Sequence, residues 1–202
     1  MIGNLAEVRY TLFGDSKEER FIENIFDYCF DYLGGTRGTL ALFEGRDSYN
    51  AFATPEALVL RRDGGTVLIG RQLIAFHKKA FGSHWGSALA ASIAHEVGHL
   101  AQYRRGLSLP TRTAELHADY LAGFTIARFG LRPEYDKISD LSVARQSLRL
   151  LQARIGDAAV HGTADDRVRM FDAGADYAHA HRARDELFDA PIDEGLELLR
   201  AA

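Results

Sequence analysis

The amino-acid sequence predicts an α+β fold, in which a small antiparallel sheet is combined with helices on both sides of it in the chain. Apolar residues recur at helical spacing between residues 15 and 33. Short apolar runs bounded by turn residues then fill residues 39–69, as expected of strands. Helical spacing returns from residue 71 and continues to the C-terminal region. The predicted class is therefore a small sheet with an N-terminal helix, two central helices and a C-terminal helical region.

The N-terminal part should contain one helix and four strands. The helix is predicted over residues 15–33, with Asp15 as a candidate cap and Gly34-Gly35 as its end. The expected strands are Thr39–Phe43, Ser48–Ala53, Ala57–Arg61 and Thr66–Ile69. Asp63-Gly64-Gly65 between the last two is a strong hairpin signal, so we expect a mostly antiparallel sheet.

Helices are predicted for most of the chain after residue 71, with glycine and proline at the breaks. They are Gln72–Phe81, Ser87–Arg104, Thr111–Phe129, Pro133–Ile155 with a break near Ser139-Asp140, Ala164–Arg184 and a short helix after Pro191. Residues 156–163 are expected to form a loop. We expect a single domain over all 202 residues, with a helix-and-sheet part at 1–81 and a helical part at 82–202.

Composition excludes several classes of protein. The formal net charge of −4 gives no reason to expect nucleic acid or an anionic membrane as a partner. Cys29 is the only cysteine, so an internal disulfide is excluded. Neither a signal peptide nor an apolar run long enough for a membrane span is evident. We expect a cytoplasmic protein, or a periplasmic one if a signal or anchor has been removed; the oligomeric state is not predicted.

The strongest chemical signal is an H-E-x-x-H pattern in the segment His95–His99, inside a predicted helix. Because residues four apart share a helix face, His95 and His99 can present ring nitrogens to one ion. Glu96 lies one residue further along the helix, where it can act as general base without being a ligand. Chance would produce about 0.02 such matches at this composition, so the pattern is specific. It predicts one bound Zn²⁺ per chain.

A catalytic zinc site usually has three protein ligands, and Glu115 is the best candidate for the third. A reversal at Gly106–Pro110 would return the next helix alongside the first. Small side chains that permit close packing are Ala114, Ala118, Ala122 and Gly123. Asp119 shares the helix face of Glu115 and is placed to orient a ligand histidine. The alternative ligand is His117, about 200° around the helix from Glu115, so that both cannot face one ion.

Three segments, AHEVGHLAQ, ELHADYLAG and HGTADDRVRMF, resemble in this order three blocks of the bacterial neutral zinc metallopeptidases. YNAFATP followed by GTVLIGRQLI is similar to the strand and pre-helix region of gluzincin peptidases related to CAAX-processing proteases. The resemblance covers residues 49–171. Members of these families usually carry a membrane anchor or secretion signal, and no such segment is evident in the sequence.

The resemblance implies a gluzincin-like zinc metalloendopeptidase that acts on a peptide or protein substrate. It adds a catalytic role for His161, which is expected to donate to the oxyanion of the tetrahedral intermediate, with Arg167 holding a carboxylate nearby. We also expect a substrate peptide to pair with an exposed edge strand. The residues expected in that strand are Asn50, Ala51, Phe52 and Ala53.

Two other interpretations remain open. A regulatory protease of the repressor-cleaving kind also has an HExxH pattern followed by a glutamate, and differs in acting on one specific protein. A non-catalytic, metal-stabilised binding or scaffold protein would retain the same ligands without the chemistry. The remaining histidines are expected at the surface rather than in a metal site. They are His77, His84, His179 and His181.

Overall fold

The computed structural model describes residues 9–44, 49–60, 63–155, 158–183 and 189–201. Helices make up most of this part of the chain, and they pack against one four-stranded sheet. The α+β class predicted from the sequence is confirmed. The sheet lies between the first helix and the second in the chain, apart from one short strand at its beginning.

The sheet is mixed rather than wholly antiparallel. Its strands are β1 (Arg9–Leu12), β2 (Thr39–Glu44), β3 (Ala51–Thr54) and β4 (Thr66–Gly70), in the order β1-β2-β4-β3. The two outer pairings are antiparallel, whereas β2 and β4 in the centre are parallel. β1 lies outside the strands expected from the sequence. The strand expected from Ser48 begins at Ala51, and Ser48 itself lies outside the described residues.

The hairpin expected at Asp63-Gly64-Gly65 is wrong. Residues 57–60 form no strand, and Arg61 lies outside the described residues. The side chain of Thr66 provides a physical reason. Its hydroxyl accepts a hydrogen bond from the Leu58 amide at 3.1 Å and donates to the Glu56 carbonyl at 2.8 Å. Side-chain bonds thus satisfy backbone groups of this segment, and β4 pairs with β2 and β3 instead.

Eight α-helices are present in the described residues. They are α1 (Lys17–Leu33), α2 (Arg71–Phe81), α3 (Trp85–Arg104), α4 (Thr111–Phe129), α5 (Leu141–Ile155), α6 (Ala158–His161), α7 (Ala164–Ala180) and α8 (Ala190–Ala201). Short 3₁₀ turns cover Gly82–His84 and Pro133–Ile138. The predicted break near Ser139-Asp140 is confirmed. The loop expected over 156–163 is wrong for residues 158–161, which form α6.

The cap of α1 is Ser16 and not Asp15. The Ser16 hydroxyl accepts from the Glu19 amide at 3.1 Å, and the Glu19 carboxylate accepts from the Ser16 amide at 3.3 Å. This reciprocal pair of bonds is a capping box, which satisfies two amides that the first helical turn leaves unpaired. The cap therefore lies one residue later than predicted.

Helices α3 and α4 form the centre of the molecule. Most of their side chains are buried, on all sides of each helix. One continuous apolar core joins them to α1, to the sheet and to α7. Such all-round burial is typical of a central helix. Among the helices that the structure describes, none combines the length and apolar character needed to cross a bilayer.

Two glycines set the separation of α4 and α7. A Cβ atom on Gly123 would lie 1.8 Å from the Phe171 carbonyl oxygen, and one on Gly174 would lie 1.9 Å from that of Tyr120. Both positions therefore require glycine, because each helix backbone touches the other directly. This contact brings the residues near the start of α7 against the first half of α4.

Candidate metal centre

His95 and His99 lie on adjacent turns of α3, and Glu115 faces both of them from α4. The Nε2 atom of His95 is 3.3 Å from one carboxylate oxygen of Glu115, and that of His99 is 3.5 Å from the other. The ligand atoms of the three residues all lie within 4.8 Å of one another. A zinc ion takes nitrogen and oxygen ligands at about 2.0–2.2 Å, a spacing that small adjustments of these side chains would reach.

Gly98 allows α4 to approach α3 at this point. A Cβ atom there would lie 3.3 Å from the Ala118 Cα atom and 3.4 Å from the Leu121 Cβ atom. Ala118 is one turn along α4 from Glu115, so a larger residue at position 98 would move the carboxylate away from the histidines. The close approach of α3 and α4 expected from the small residues is therefore present at Ala118, whereas Gly123 packs against α7 instead.

Asp119 and Arg167 form a buried ion pair behind His95. The Asp119 Oδ1 atom is 2.9 Å from His95 Nδ1, and Arg167 donates two hydrogen bonds of 2.8 Å to the same carboxylate. Burial raises the pKa of Asp119, but Arg167 and His95 outweigh this effect and lower it. The carboxylate is therefore ionised and accepts a hydrogen bond from the Nδ1–H group of His95, so that Nε2, which faces Glu115, is the nitrogen that would bind a metal.

The electrostatic environment of the three residues favours a positive charge between them. Burial lowers the pKa of His95, but Asp119 and Glu115 outweigh it and raise the pKa to about 10. Burial likewise raises the pKa of Glu115, whereas hydrogen bonds from His95 and His99 bring it well below its usual value. The position shared by these side chains is thus one that a proton or a metal cation stabilises.

Glu96 is buried next to this cluster and has a different environment. Only 8% of the residue is exposed, and burial raises the pKa of its carboxyl group. Within the described part of the chain, no hydrogen bond or ion pair to another side chain holds this carboxylate. A largely buried carboxylate that lies near His95 and Arg167 but is hydrogen-bonded to neither is available to a group in the cleft, and perturbed carboxyl groups of this kind are concentrated at functional sites.

His117, the alternative third ligand, does not belong to the cluster. Its Nε2 atom is 2.9 Å from the Ile192 carbonyl oxygen of α8, and its Nδ1 atom is 3.0 Å from the Gln102 amide. Burial lowers the pKa of His117 to about 4, so its ring is neutral. Gln102 in turn contacts His99. The prediction from the sequence missed this contact, and the spacing of three residues between Gln102 and His99 is the only signal that could have indicated it.

A cleft of about 820 Å³ borders the three candidate ligands. Glu96, His161 and Arg167 line it, together with apolar side chains of α5. The four residues expected to bind substrate, Asn50, Ala51, Phe52 and Ala53, all line the same cleft. β3 is an outer strand of the described sheet, as expected for a strand that could take up a peptide.

His161 lies at the end of α6, on the cleft side of Glu115. Its Nε2 atom is 3.9 Å from the Glu115 carboxylate, and the side chain is half-buried. This position is close enough for an imidazole to reach a group bound next to Glu115. The structure thus brings the predicted catalytic and metal-binding residues and Arg167 to one cleft, with Asp119 buried behind His95.

One expectation for the other histidines is wrong. His77 is completely buried, and its Nε2 atom is 3.1 Å from the Ser92 hydroxyl of α3. Burial lowers its pKa to about 3. The cause is the apolar face of α2, on which His77 lies beside Leu73 and Ile74 against the core. His84 and His179 are exposed, as expected.

No protein-family model, curated protein or solved structure matches this chain. The function must therefore be inferred from the chemistry of the site.

Proposed function

We propose that the protein is a zinc-dependent metallopeptidase of the gluzincin type, with His95, His99 and Glu115 as zinc ligands and Glu96 as general base. The observation that carries this proposal is the convergence of two imidazole Nε2 atoms and one carboxylate at the wall of a large cleft. Two histidines and a glutamate form one of the established ligand sets of catalytic zinc, in which the fourth position takes water or substrate.

The donor set fits zinc better than a harder cation. Calcium and magnesium prefer oxygen ligands, whereas two imidazole nitrogens and one carboxylate suit zinc. Both histidines have their Nδ1 atoms within 3.0 Å of an oxygen acceptor, on Asp119 and Gln102 respectively. Because Nδ1 of each ring is the donor in these bonds, Nε2, which faces Glu115, is the atom that would bind the metal in place of a proton.

Zinc held by these residues supplies a Lewis acid, which lowers the pKa of water and polarises a carbonyl group. Glu96 accepts the proton of the attacking water as the new carbon–oxygen bond forms. It then delivers this proton to the leaving amine as the carbon–nitrogen bond breaks. His161 donates a hydrogen bond to the oxygen on which negative charge develops. The backbone of β3 holds the substrate peptide in an extended conformation along the cleft.

The environment of Glu96 supports an enzyme rather than a scaffold. A structural zinc site normally closes with four protein ligands and needs no additional acid beside it. Glu96 is buried at a cost in stability that a scaffold would avoid with an apolar residue at the same position. A protease with one specific protein substrate would use the same residues, and would differ only in what the cleft accepts.

The proposal is tested by measuring the metal content and the peptide hydrolysis of protein purified without any chelator. We expect about one zinc per chain by mass spectrometry of the metal, and cleavage of an internally quenched peptide library. Glu96→Gln should retain the zinc and lose activity by about 10²–10⁴-fold. Glu197→Gln makes the same chemical change at an exposed position of α8 and should alter neither quantity. Absence of zinc, together with no thermal stabilisation by added zinc, would contradict the proposal.

A further inference from the structure

We propose that the C-terminal helix α8 orients the metal ligand His99 through a directed chain of hydrogen bonds, in which Gln102 and His117 are positioning residues. This inference rests on the proposed metal site, and concerns how α8 controls it. The helix contributes no ligand of its own, yet one of its backbone carbonyls ends a chain of contacts that reaches the metal centre.

The chain passes through four groups. The Ile192 carbonyl oxygen lies 2.9 Å from His117 Nε2, and His117 Nδ1 lies 3.0 Å from the Gln102 amide nitrogen. The same nitrogen donates to the Ala114 carbonyl at 2.8 Å, and the amide oxygen lies 3.0 Å from His99 Nδ1. Each contact has the length of an ordinary hydrogen bond.

Two carbonyl groups determine the direction of every bond in this chain, because a carbonyl oxygen only accepts. Ile192 requires a proton on His117 Nε2, so Nδ1 of the neutral ring is an acceptor. Ala114 and that acceptor then take both hydrogens of the Gln102 amide, whose oxygen must face His99. That oxygen accepts from Nδ1 of His99, and the lone pair of this ring is left on Nε2.

Burial makes the reversed arrangement unfavourable. Gln102 is 3% exposed and His117 is fully buried, so water cannot replace a bond that is lost. Rotation of the amide by half a turn would set its oxygen against the Ala114 carbonyl and its hydrogens against a protonated Nδ1 of His99. Unpaired buried groups of this kind cost more than a hydrogen bond normally contributes.

Helix α8 is held in place by close packing at Gly195. A Cβ atom there would lie 2.7 Å from the Tyr120 ring and 2.9 Å from the His117 ring. Both rings are buried in α4, so any side chain at position 195 must push α8 outward. The Ile192 carbonyl, one turn earlier in α8, would move away from His117 with it.

Ion pairs at the start of α8 also hold this helix in place. Arg105, just after α3, contacts Asp189 at 2.7 Å and Asp193 at 2.8 Å. Helix α8 is thus joined to the end of α3 by these ion pairs and to α4 by the close packing at Gly195. Displacement of α8 would therefore change the orientation of His99.

The first experiment measures zinc affinity by competition with a chromophoric chelator. His117→Met fills the space but accepts only weakly from Gln102 and cannot donate to Ile192, and should weaken zinc binding about 10–100-fold. His117→Gln offers an oxygen acceptor and an N–H donor in the same order, and should restore affinity to within about threefold of wild type. Urea unfolding of the zinc-free proteins separates this effect from a change in stability.

The second experiment displaces α8 without replacing any residue of the chain of bonds. Gly195→Ala should weaken zinc binding about tenfold or more, although alanine favours helix formation over glycine. Glu197→Ala is the matched control, since its side chain is exposed on the same helix. It should leave zinc affinity unchanged. Because Gly195→Ala alters neither Gln102 nor His117, it also tests the inference if His117→Met fails to fold.

Nitrogen NMR of ¹⁵N-histidine-labelled protein gives a readout that does not require metal. Wild type should show a proton on Nδ1 of His99 and on Nε2 of His117, and His117→Met should lose the fixed proton at His99. Equal zinc affinity in wild type, His117→Met and Gly195→Ala would overturn the inference. If wild type binds no zinc, the proposed function fails on its own. In that case, persistence of the His99 Nδ1 proton in His117→Met would still refute the orienting chain.

Discussion

Arg167 of α7 donates two buried hydrogen bonds of 2.8 Å to Asp119 of α4, and Asp119 in turn accepts one from His95. The side chains of this ion pair are 6% and 0% exposed, so water hardly screens them. The pair both joins two helices and determines which nitrogen of His95 keeps its lone pair. Stability and metal binding should therefore depend on it together.

Arg167→Met should reduce both properties, because it leaves the Asp119 carboxylate buried without its main counter-charge. Removing one member of a buried ion pair typically costs about 3–5 kcal/mol. Zinc affinity should fall about 10–100-fold, as for other groups that orient a ligand. Urea unfolding without metal and chelator competition measure the two effects.

Arg112→Met is the matched control, since Arg112 joins the same two helices through Asp166 at 2.9 Å. The Arg112 side chain is 53% exposed, and an exposed pair of this kind contributes about 1 kcal/mol or less. Equal losses of unfolding free energy in the two variants would show that the interior pair has no special role.

Substitution at the glycine contact between α4 and α7 should lower stability and zinc affinity, as loss of the Arg167–Asp119 ion pair should. Gly174→Ala would place a Cβ atom 1.9 Å from the Tyr120 carbonyl oxygen, a rigid backbone atom. The helices must then separate, which costs about 1–3 kcal/mol for overpacking and lengthens the bonds between Arg167 and Asp119. We expect a lower unfolding free energy and weaker zinc binding, measured as for Arg167→Met.

Gly130→Ala provides the comparison for this substitution. A Cβ atom at Gly130 would meet its nearest neighbour, the Ala127 carbonyl oxygen, at 3.4 Å, which is an ordinary contact. Its stability should therefore equal or exceed that of wild type. A Gly174→Ala protein as stable as Gly130→Ala would contradict the close approach of the two helices.

The candidate ligands could be predicted because their signals are local. The spacing of His95 and His99 places both rings on one face of any α-helix, whatever surrounds it. Glu115 required only a short reversal and a second helix beside the first, which the small residue at position 98 makes compatible with close packing. The cap of α1 was predicted at Asp15 instead of Ser16, although Ser16 and Glu19 have the spacing of a capping box.

The remaining features depend on contacts between distant parts of the chain. β2 and β4 pair in parallel although β3 lies between them in the chain. No single turn connects them, so no turn motif in the sequence predicts this pairing. His117 meets Ile192 across 75 residues, and its role is set by where α8 docks. The burial of His77 follows from which face of α2 meets the core. Local periodicity specifies the elements, but it does not specify their partners.

Backbone groups of β3 should contribute to substrate binding. The Gly70 amide donates to the Asn50 carbonyl at 3.0 Å, and bonded residues alternate along an antiparallel pair. The N–H and C=O groups of Ala51 and Ala53 therefore point away from β4, toward the outer edge of the sheet. Ala53→Pro removes one such N–H without removing a bond to β4.

We expect Ala53→Pro to lower kcat/KM about 2- to 12-fold on extended peptides, which corresponds to one hydrogen bond of about 0.5–1.5 kcal/mol. Zinc content should not change. Ala53→Ser keeps the amide at similar size and should behave as wild type. Steady-state kinetics on peptides of increasing length decide the matter, and an unchanged kcat/KM in Ala53→Pro would exclude pairing of substrate at this residue.

The buried imidazole of His77 should make stability depend on pH in the acid range. Burial lowers its pKa to about 3, whereas an unfolded histidine has a pKa of about 6.5. Between these values the unfolded chain binds a proton that the folded protein excludes, so stability falls as the pH falls. The slope from this residue approaches about 1.4 kcal/mol per pH unit.

His77→Phe keeps an aromatic ring in the same apolar site and removes the titrating group. Urea unfolding of zinc-free protein at pH 6.5 and pH 4 should show a loss roughly 2–3 kcal/mol smaller in this variant than in wild type. Ser92→Ala removes only the hydroxyl that contacts Nε2 and keeps the imidazole buried, so it should retain the steep dependence. If wild type and His77→Phe lose equal stability over this interval, His77 is accessible to protons in the folded protein, and its burial against α3 would have to be abandoned.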